Sequence, residues 1–284
     1  MDNILASAIR WNIYTDLQQM LHYSFMQHAF EAGTVVAVVA GVVGYFVVIR
    51  RLSFAAHALS HIGFAGAAGA VLIGLSPLSG LLAFTTGGGI AIALLGRKAA
   101  RRDVQIGTVL AFMLGLGVLF ISLYKGYATE AYSLLFGEIL GISGNDVLVT
   151  IMAGALTIAA VAAIYRKLLF TSIDEDVSES RGVSILGIGI TFMVLIALAT
   201  SISVQVVGVL LIFALMVTPA AISERVTQRP SHGIAISVII ALSVTWLGLF
   251  MSFYLPYPVS FFITSSVFLL YLLVRLAQFL RLRF

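Results

Sequence analysis

Ala32-Gly-Thr-Val-Val-Ala-Val-Val-Ala-Gly-Val-Val-Gly-Tyr-Phe-Val-Val-Ile49 is the stretch that decides the fold, because none of its side chains is charged. A helix needs about 20 such residues to cross the roughly 30 Å hydrocarbon layer of a bilayer. Strands of a membrane barrel would instead alternate apolar and polar residues. Arg50 and Arg51 follow directly. The stretch therefore predicts a transmembrane helix that ends at a charged membrane surface.

Similar apolar stretches recur along the whole chain. Of the 284 residues, 61% are hydrophobic and 10% are charged, whereas a soluble domain carries about 25% charged residues. We predict an all-α, polytopic membrane bundle with an N-terminal interfacial segment at 1–31 and a transmembrane domain at 32–284. The predicted spans lie near residues 32–49, 54–75, 77–96, 105–124, 147–165, 186–201, 204–222, 233–254 and 258–280.

The number of spans depends on the sixth and seventh stretches, 186–201 and 204–222. Both are short, and only two residues separate them. One of them is then either a full span or a half-helix. The sequence accordingly predicts eight or nine transmembrane segments.

The basic residues predict how the bundle is oriented. Nine spans place most of them on one side, which the positive-inside rule identifies as the cytoplasm: Arg50, Arg51, Arg97, Lys98, Arg101, Arg102, Arg166, Lys167, Arg181, Arg225, Arg229, Arg281 and Arg283. The N-terminus is then outside and the C-terminus cytoplasmic, in a multi-pass protein of the cytoplasmic membrane. The net charge of +4 comes from basic residues in these short loops, where they determine orientation. We therefore expect no nucleic-acid partner, and we expect a lipid bilayer around the apolar spans.

Two histidines lie inside the second predicted span. At about 100° per residue, Ser53, His57, Ser60 and His61 share one sector of the helix. Imidazoles at positions i and i+4 can bind one ion, and imidazole suits zinc and neighbouring transition metals. Ionisable groups at this depth usually face a protein interior or a wet cavity. Hydrogen bonding between helices is an equally good explanation of the pair, and the spacing leaves both open.

The loop between the fourth and fifth spans carries acidic residues on the predicted outer side. Glu130 and Glu138 are candidates for the metal pathway, as are Ser53 and Ser60 on the polar stripe, and Asp146 could join the two glutamates in an entry funnel. A solvated loop would have the same composition, so this interpretation also stays open.

A charged segment at about 171–184 separates the fifth and sixth spans on the cytoplasmic side. Ser172 with Glu175 fits a capping box and Gly182 fits a C-terminal stop, which predicts a short surface helix. No Gly-x-x-x-x-Gly-Lys-Ser/Thr motif occurs, so the chain has no Walker A site. If ATP drives this protein, another subunit must bind the nucleotide.

Several short fragments, in their order and spacing, give the chain a family resemblance. It resembles the integral-membrane permeases of bacterial zinc, manganese and iron ABC importers from about Tyr23 to Leu273. The fragments are Tyr23-Ser-Phe-Met-Gln27, Val47-Val-Ile-Arg-Arg-Leu-Ser53, Ala58-Leu-Ser-His61, Arg102-Asp-Val-Gln-Ile-Gly107, Leu135-Phe-Gly-Glu-Ile-Leu140, Val207-Gly-Val-Leu-Leu211 and Thr218-Pro-Ala220.

This resemblance implies a homodimeric permease with cytoplasmic ATPase subunits and an extracytoplasmic metal-binding protein that delivers the ion. The metal is cargo, and no permanently bound cofactor is expected. The family's coupling segment maps onto Ser172–Gly182. We therefore expect contact with the ATPase through Asp174, Glu175, Asp176, Glu179, Arg181 and Gly182.

The resemblance also bears on the choice of metal. His61 aligns with the family's second-span histidine, whereas His57 stands where the family commonly has aspartate. Two neutral imidazoles favour zinc over manganese, which prefers oxygen ligands. Manganese and iron remain alternatives.

Other classes of membrane protein fit the sequence less well. A permease for a metal chelate, of the siderophore or cobalamin type, would not need the histidine pair. An ion-coupled secondary transporter would usually need buried carboxylates, which the predicted span interiors lack. A zinc protease would need a general base beside the first histidine, where this chain has Ala58. A purely structural membrane scaffold would leave the polar stripe unexplained.

Overall fold

The computed structural model describes residues 18, 20–95, 99–123, 137 and 139–281. In this part of the chain every regular element is a helix. The helices are α1 (Ser24–Ile49), α2 (Ser53–Leu72), α3 (Pro77–Leu95), α4 (Ala99–Leu123), α5 (Gly144–Ile173), α6 (Glu175–Ser180), α7 (Ile185–Val226), α8 (Pro230–Tyr254) and α9 (Val259–Arg281). Eight helices in these ranges are long and apolar enough to cross a membrane. The predicted all-α polytopic bundle is confirmed.

The bundle has inner and outer helices. Most of the apolar part of α1, α2 and α7 is buried inside the protein, whereas α4 and α9 expose most of theirs. Outer helices of this kind face lipid or another subunit, because their exposed side chains are apolar. The histidine-bearing α2 is thus an inner helix, surrounded by α3, α4 and α7.

The longest helix, α7, reverses direction at Gly208. In a straight helix, Phe192 and Met216 would lie about 36 Å apart, at about 1.5 Å per residue. Both nevertheless contact the same turn of α1: the Phe192 ring lies 6.2 Å from the Phe46 ring, and the Met216 carbonyl oxygen lies against the backbone of Gly44. Consequently α7 is a hairpin, with an ascending arm at 185–207 and a descending arm at 209–226.

These two arms correspond to the sixth and seventh predicted spans, so the described chain crosses the membrane nine times. The predicted break at residues 202–203 is wrong by several residues. The helix continues through residues 202–203, and the hydroxyl of the neighbouring Ser201 donates to the Ala197 carbonyl oxygen one turn earlier. The chain reverses instead at Gly208, whose φ of 82° and ψ of 164° lie in a region that is essentially limited to glycine.

Two helices extend beyond their predicted ends. Helix α1 begins at Ser24 rather than at residue 32, so the last part of the predicted interfacial segment 1–31 belongs to α1, while residues 1–17 lie outside the described residues. Helix α5 runs on to Ile173, past the predicted end at residue 165. Hydropathy marks only the part of a helix inside the hydrocarbon layer, and these helices continue into the polar interface.

Candidate metal site

His57 and His61 lie side by side on α2. Their ring centroids are 4.7 Å apart, and the rings are nearly perpendicular, at 83°. Both side chains are partly exposed. His61 is eight residues into the 20-residue α2, which places it about 12 Å from the start of the helix and near its middle. Zinc binds imidazole nitrogens at about 2.0–2.1 Å, so one ion needs two rings that are neighbours, as these are.

The Nδ1 atom of His57 is buried and has no hydrogen-bond partner among the described residues. Buried polar atoms are rarely left unpaired, because losing water without a replacement partner costs free energy. An interhelical hydrogen bond, the alternative that the sequence left open, is therefore not made through this atom.

The two serines of the predicted stripe lie differently from the histidines. Ser60 is buried, and its hydroxyl donates to the His57 carbonyl oxygen at 2.7 Å. Ser53 is the first residue of α2 and partly exposed. Ser60 therefore supports the backbone beneath His57, and Ser53 lies at the cytoplasmic end of the stripe.

The descending arm of α7 contributes an aromatic ring that the sequence did not point to. The ring of Phe213 lies 4.8 Å from that of His57, at 64°. His57 thus contacts two rings, that of His61 on its own helix and that of Phe213 on the descending arm of α7. Only the α7 hairpin brings Phe213 to α2, and a phenylalanine in an apolar span gives no signal of this contact.

Buried hydroxyl groups also join α3 to the ascending arm of α7. The hydroxyls of Thr85 and Ser201 are 2.7 Å apart, and Thr85 packs over Gly63, two residues beyond His61. The sequence carries one signal of this contact, which is an isolated polar residue in each of the two predicted spans. Such pairs stabilise contacts between membrane helices.

The described residues contain no cluster of three or more histidine, cysteine, aspartate or glutamate side chains that could hold a metal ion. Glu130 and Glu138, the predicted pathway residues, lie outside the described residues. Asp146 has another role: its carboxylate accepts hydrogen bonds from Ser143 in the capping box of α5, and from Gln205 of α7 at 3.1 Å. The pair of imidazoles on α2 therefore stands without a carboxylate beside it among the described residues.

The predicted cytoplasmic helix is present as α6, with a different cap. Asp174, and not Ser172, is the N-cap residue, and its carboxylate accepts a hydrogen bond from the Val177 amide. Ser172 is still inside α5, where its hydroxyl donates to the Leu168 carbonyl oxygen. Gly182 ends the helix as predicted, with a φ of 77°.

The acidic residues of α6 all face outward. The predicted contact residues Asp174, Glu175, Asp176, Glu179, Arg181 and Gly182 are exposed. Ser178 is fully buried beneath them, and the Arg181 guanidinium lies 5.6 Å from the Phe170 ring. The helix therefore rests on the end of α5 and presents a charged, mainly acidic surface.

An inner helix with a polar stripe, in a polytopic helical bundle, is typical of membrane transport proteins. The chain belongs to the ABC 3 transport family, whose model matches residues 22–278. It is therefore a transport subunit of the cytoplasmic membrane and not an enzyme, and ATP hydrolysis belongs to a separate subunit.

Relatives and a solved structure match along most of the chain. The chain is 29% identical over 238 residues to the manganese transport system membrane protein MntC of Listeria monocytogenes, covering 84% of this chain and 85% of that one. It is 30% identical over 260 residues to the manganese import system permease protein ScaB of Streptococcus parasanguinis, covering 90% and 92%. The structure of PsaBC from Streptococcus pneumoniae in complex with Fab superimposes with a TM-score of 0.82 at 27% identity, covering 92% of this chain and 95% of that chain.

Proposed function

We propose that this ABC 3 permease imports a divalent transition-metal ion, which His57 and His61 bind transiently near the middle of the membrane. The observation that carries the proposal is the pair of adjacent imidazoles, 4.7 Å apart, with a buried and unpaired nitrogen on His57. A bare ion is favoured over a chelate, because the coordination positions of a chelated metal are already occupied and need no imidazole.

Zinc is the ion that the described site suits best, because both ligands are nitrogen atoms. Manganese is the second candidate, since the relatives MntC and ScaB are named for manganese. The family commonly has aspartate at the position of His57, so the histidine is the residue that would separate this chain from its manganese-named relatives.

The same proposal includes the partners that drive transport. A cytoplasmic ATPase would bind the exposed acidic surface of α6, and an extracytoplasmic binding protein would deliver the ion to the opposite side. A second copy of the chain would complete the permease, covering part of the apolar surface that the outer helices expose.

Replacing His61 with alanine tests the site. We expect His61→Ala to lower zinc uptake by about tenfold or more, because even groups one shell beyond a metal contribute 10–100-fold to its affinity. Uptake is measured in vesicles that contain the permease, its ATPase and a saturating amount of metal-loaded binding protein. His232→Ala, which removes an exposed histidine at the start of α8, is the control. Wild-type uptake by an assembled His61→Ala complex would contradict the assignment.

A further inference from the structure

Arg50 joins the cytoplasmic ends of three helices. It follows α1, and its Nη1 atom donates to the hydroxyls of Thr171 at 2.7 Å and Ser172 at 3.3 Å, both in the last turn of α5. Its guanidinium carbon lies 5.8 Å from the ring centroid of Phe192 on α7. A guanidinium with charge-assisted hydrogen bonds and an aromatic contact is a directional connection that a lysine ammonium does not reproduce.

The end of α5 that Arg50 holds is also the base of α6. One residue, Asp174, caps the end of α5 and the start of α6. Thr171 is 2% exposed and Ser178 of α6 is fully buried, so both helices pack firmly at this corner. Only this one residue and the packed corner connect α6 to the last turn of α5, so this corner is the route by which movement of α6 can reach α5.

On its other side, Arg50 begins the short connection to α2. Only Arg50, Arg51 and Leu52 separate α1 from α2. Arg51 has a positive φ of 55°, which is uncommon for a residue other than glycine, and the Leu52 amide donates to the Val47 carbonyl oxygen at 2.8 Å. This tight connection fixes the start of α2 relative to Arg50. His57 lies in the second turn of α2.

We propose that Arg50 is a positioning residue that couples movement of α6 to the arrangement of His57 and His61. The inference rests on the proposed function, in which α6 meets the ATPase and the histidines bind the ion. Arg50 contacts neither the ion nor the ATPase. It holds the end of α5 to the start of α2, so that both move together during the transport cycle.

The experiment measures metal transported per ATP hydrolysed in reconstituted complexes with the ATPase and the loaded binding protein. Arg50→Lys keeps the charge but loses the planar donor group, and Thr171→Val removes the nearest acceptor while keeping the side-chain shape. We expect each change to lower the ratio at least about fivefold, the lower end of usual coupling effects, while zinc binding to the assembled complex stays as in the wild type. The control is Lys167→Gln, which removes an exposed charge of α5, the helix that also carries Thr171. This variant should keep the wild-type ratio.

Two further variants separate coupling from simple stabilisation. The double variant Arg50→Lys with Thr171→Val should lower the ratio of metal transported to ATP hydrolysed no further than either single change does. The reason is that both changes break the same connection. Glu175→Lys with Glu179→Lys, at the α6 surface, should lower the ratio in the same way.

If Arg50→Lys transports as much metal per ATP hydrolysed as the wild type, the proposal is overturned. This holds even if the variant has a lower unfolding temperature, because Arg50 would then only stabilise the fold. A low ratio in Arg50→Lys beside a normal ratio in the α6 double variant would overturn the connection between them. Neither result depends on His61→Ala, which tests the metal site separately.

Discussion

His57 is the residue where the family resemblance implies an aspartate. Its ring lies 4.7 Å from that of His61 and 4.8 Å from that of Phe213, and its buried Nδ1 lacks a partner among the described residues. Aspartate would stay charged near neutral pH and attract any divalent cation. Imidazole must be neutral to bind a metal, so protons compete with the ion.

This competition gives a prediction for His57→Asp. Since the protonated ring cannot bind the ion, wild-type zinc uptake should fall as the pH is lowered from neutral into the acidic range. His57→Asp should flatten this dependence and shift preference toward manganese, because an oxygen ligand replaces a nitrogen ligand. Zinc and manganese uptake are measured in reconstituted vesicles across this pH range.

The control for this experiment is a histidine outside the site. His232→Asp should keep the wild-type pH profile and the wild-type ratio of zinc to manganese uptake, because His232 is exposed at the cytoplasmic end of α8. Identical profiles and metal ratios for the wild type and His57→Asp would mean that His57 is not a ligand.

Among the elements, α7 depends most on one backbone conformation. The backbone at Gly208 has a φ of 82° and a ψ of 164°, and Gly137 packs directly against Val207 and Gly208. A side chain at position 208 would strain the turn between the arms. The descending arm carries Phe213, so the turn also determines how this ring meets His57.

Gly208→Ala should therefore destabilise the permease by about 1–3 kcal/mol, the usual cost of holding another residue in this region of φ and ψ. Gly189→Ala is the matched control, because Gly189 lies in the ascending arm with open space around it and alanine favours helix. Unfolding temperatures are compared in detergent. Equal temperatures for Gly208→Ala and the wild type would argue against the tight turn.

The elements also show what the sequence could and could not predict. Apolar stretches located the spans, because crossing a bilayer dictates their composition. The capping of α6 was placed on Ser172 although Asp174 makes it, because Ser, Thr and Asp all cap helices and hydropathy does not locate the end of α5. The i, i+4 spacing brought His57 and His61 together. Phe213 and Arg50 act through contacts between distant segments, which no local pattern contains.

At the scale of the whole molecule, contacts and charge agree on which helix ends share a side. Arg50 bonds to the end of α5, Tyr45 near the end of α1 packs against Gly233 at the start of α8, and Gln278 near the end of α9 bonds to the Arg225 carbonyl oxygen at the end of α7. These ends carry the basic residues that the positive-inside rule assigns to the cytoplasm. The α7 hairpin makes this agreement possible, since a straight α7 would put its two ends on opposite sides.

This sidedness can be tested directly, because the chain contains no cysteine and each introduced cysteine is the only thiol. We expect Ser184→Cys and Thr227→Cys, at the two ends of α7, to react with a membrane-impermeant maleimide only after the membrane is opened. Tyr257→Cys, in the turn between α8 and α9 where Tyr257 is 60% exposed, should react in intact cells. A straight α7 would reverse every segment that follows it, so Thr227→Cys would react in intact cells and Tyr257→Cys would not. If, in intact cells, Thr227→Cys reacts with the maleimide while Ser184→Cys does not, then α7 is not a hairpin. That result would disprove the nine crossings as well.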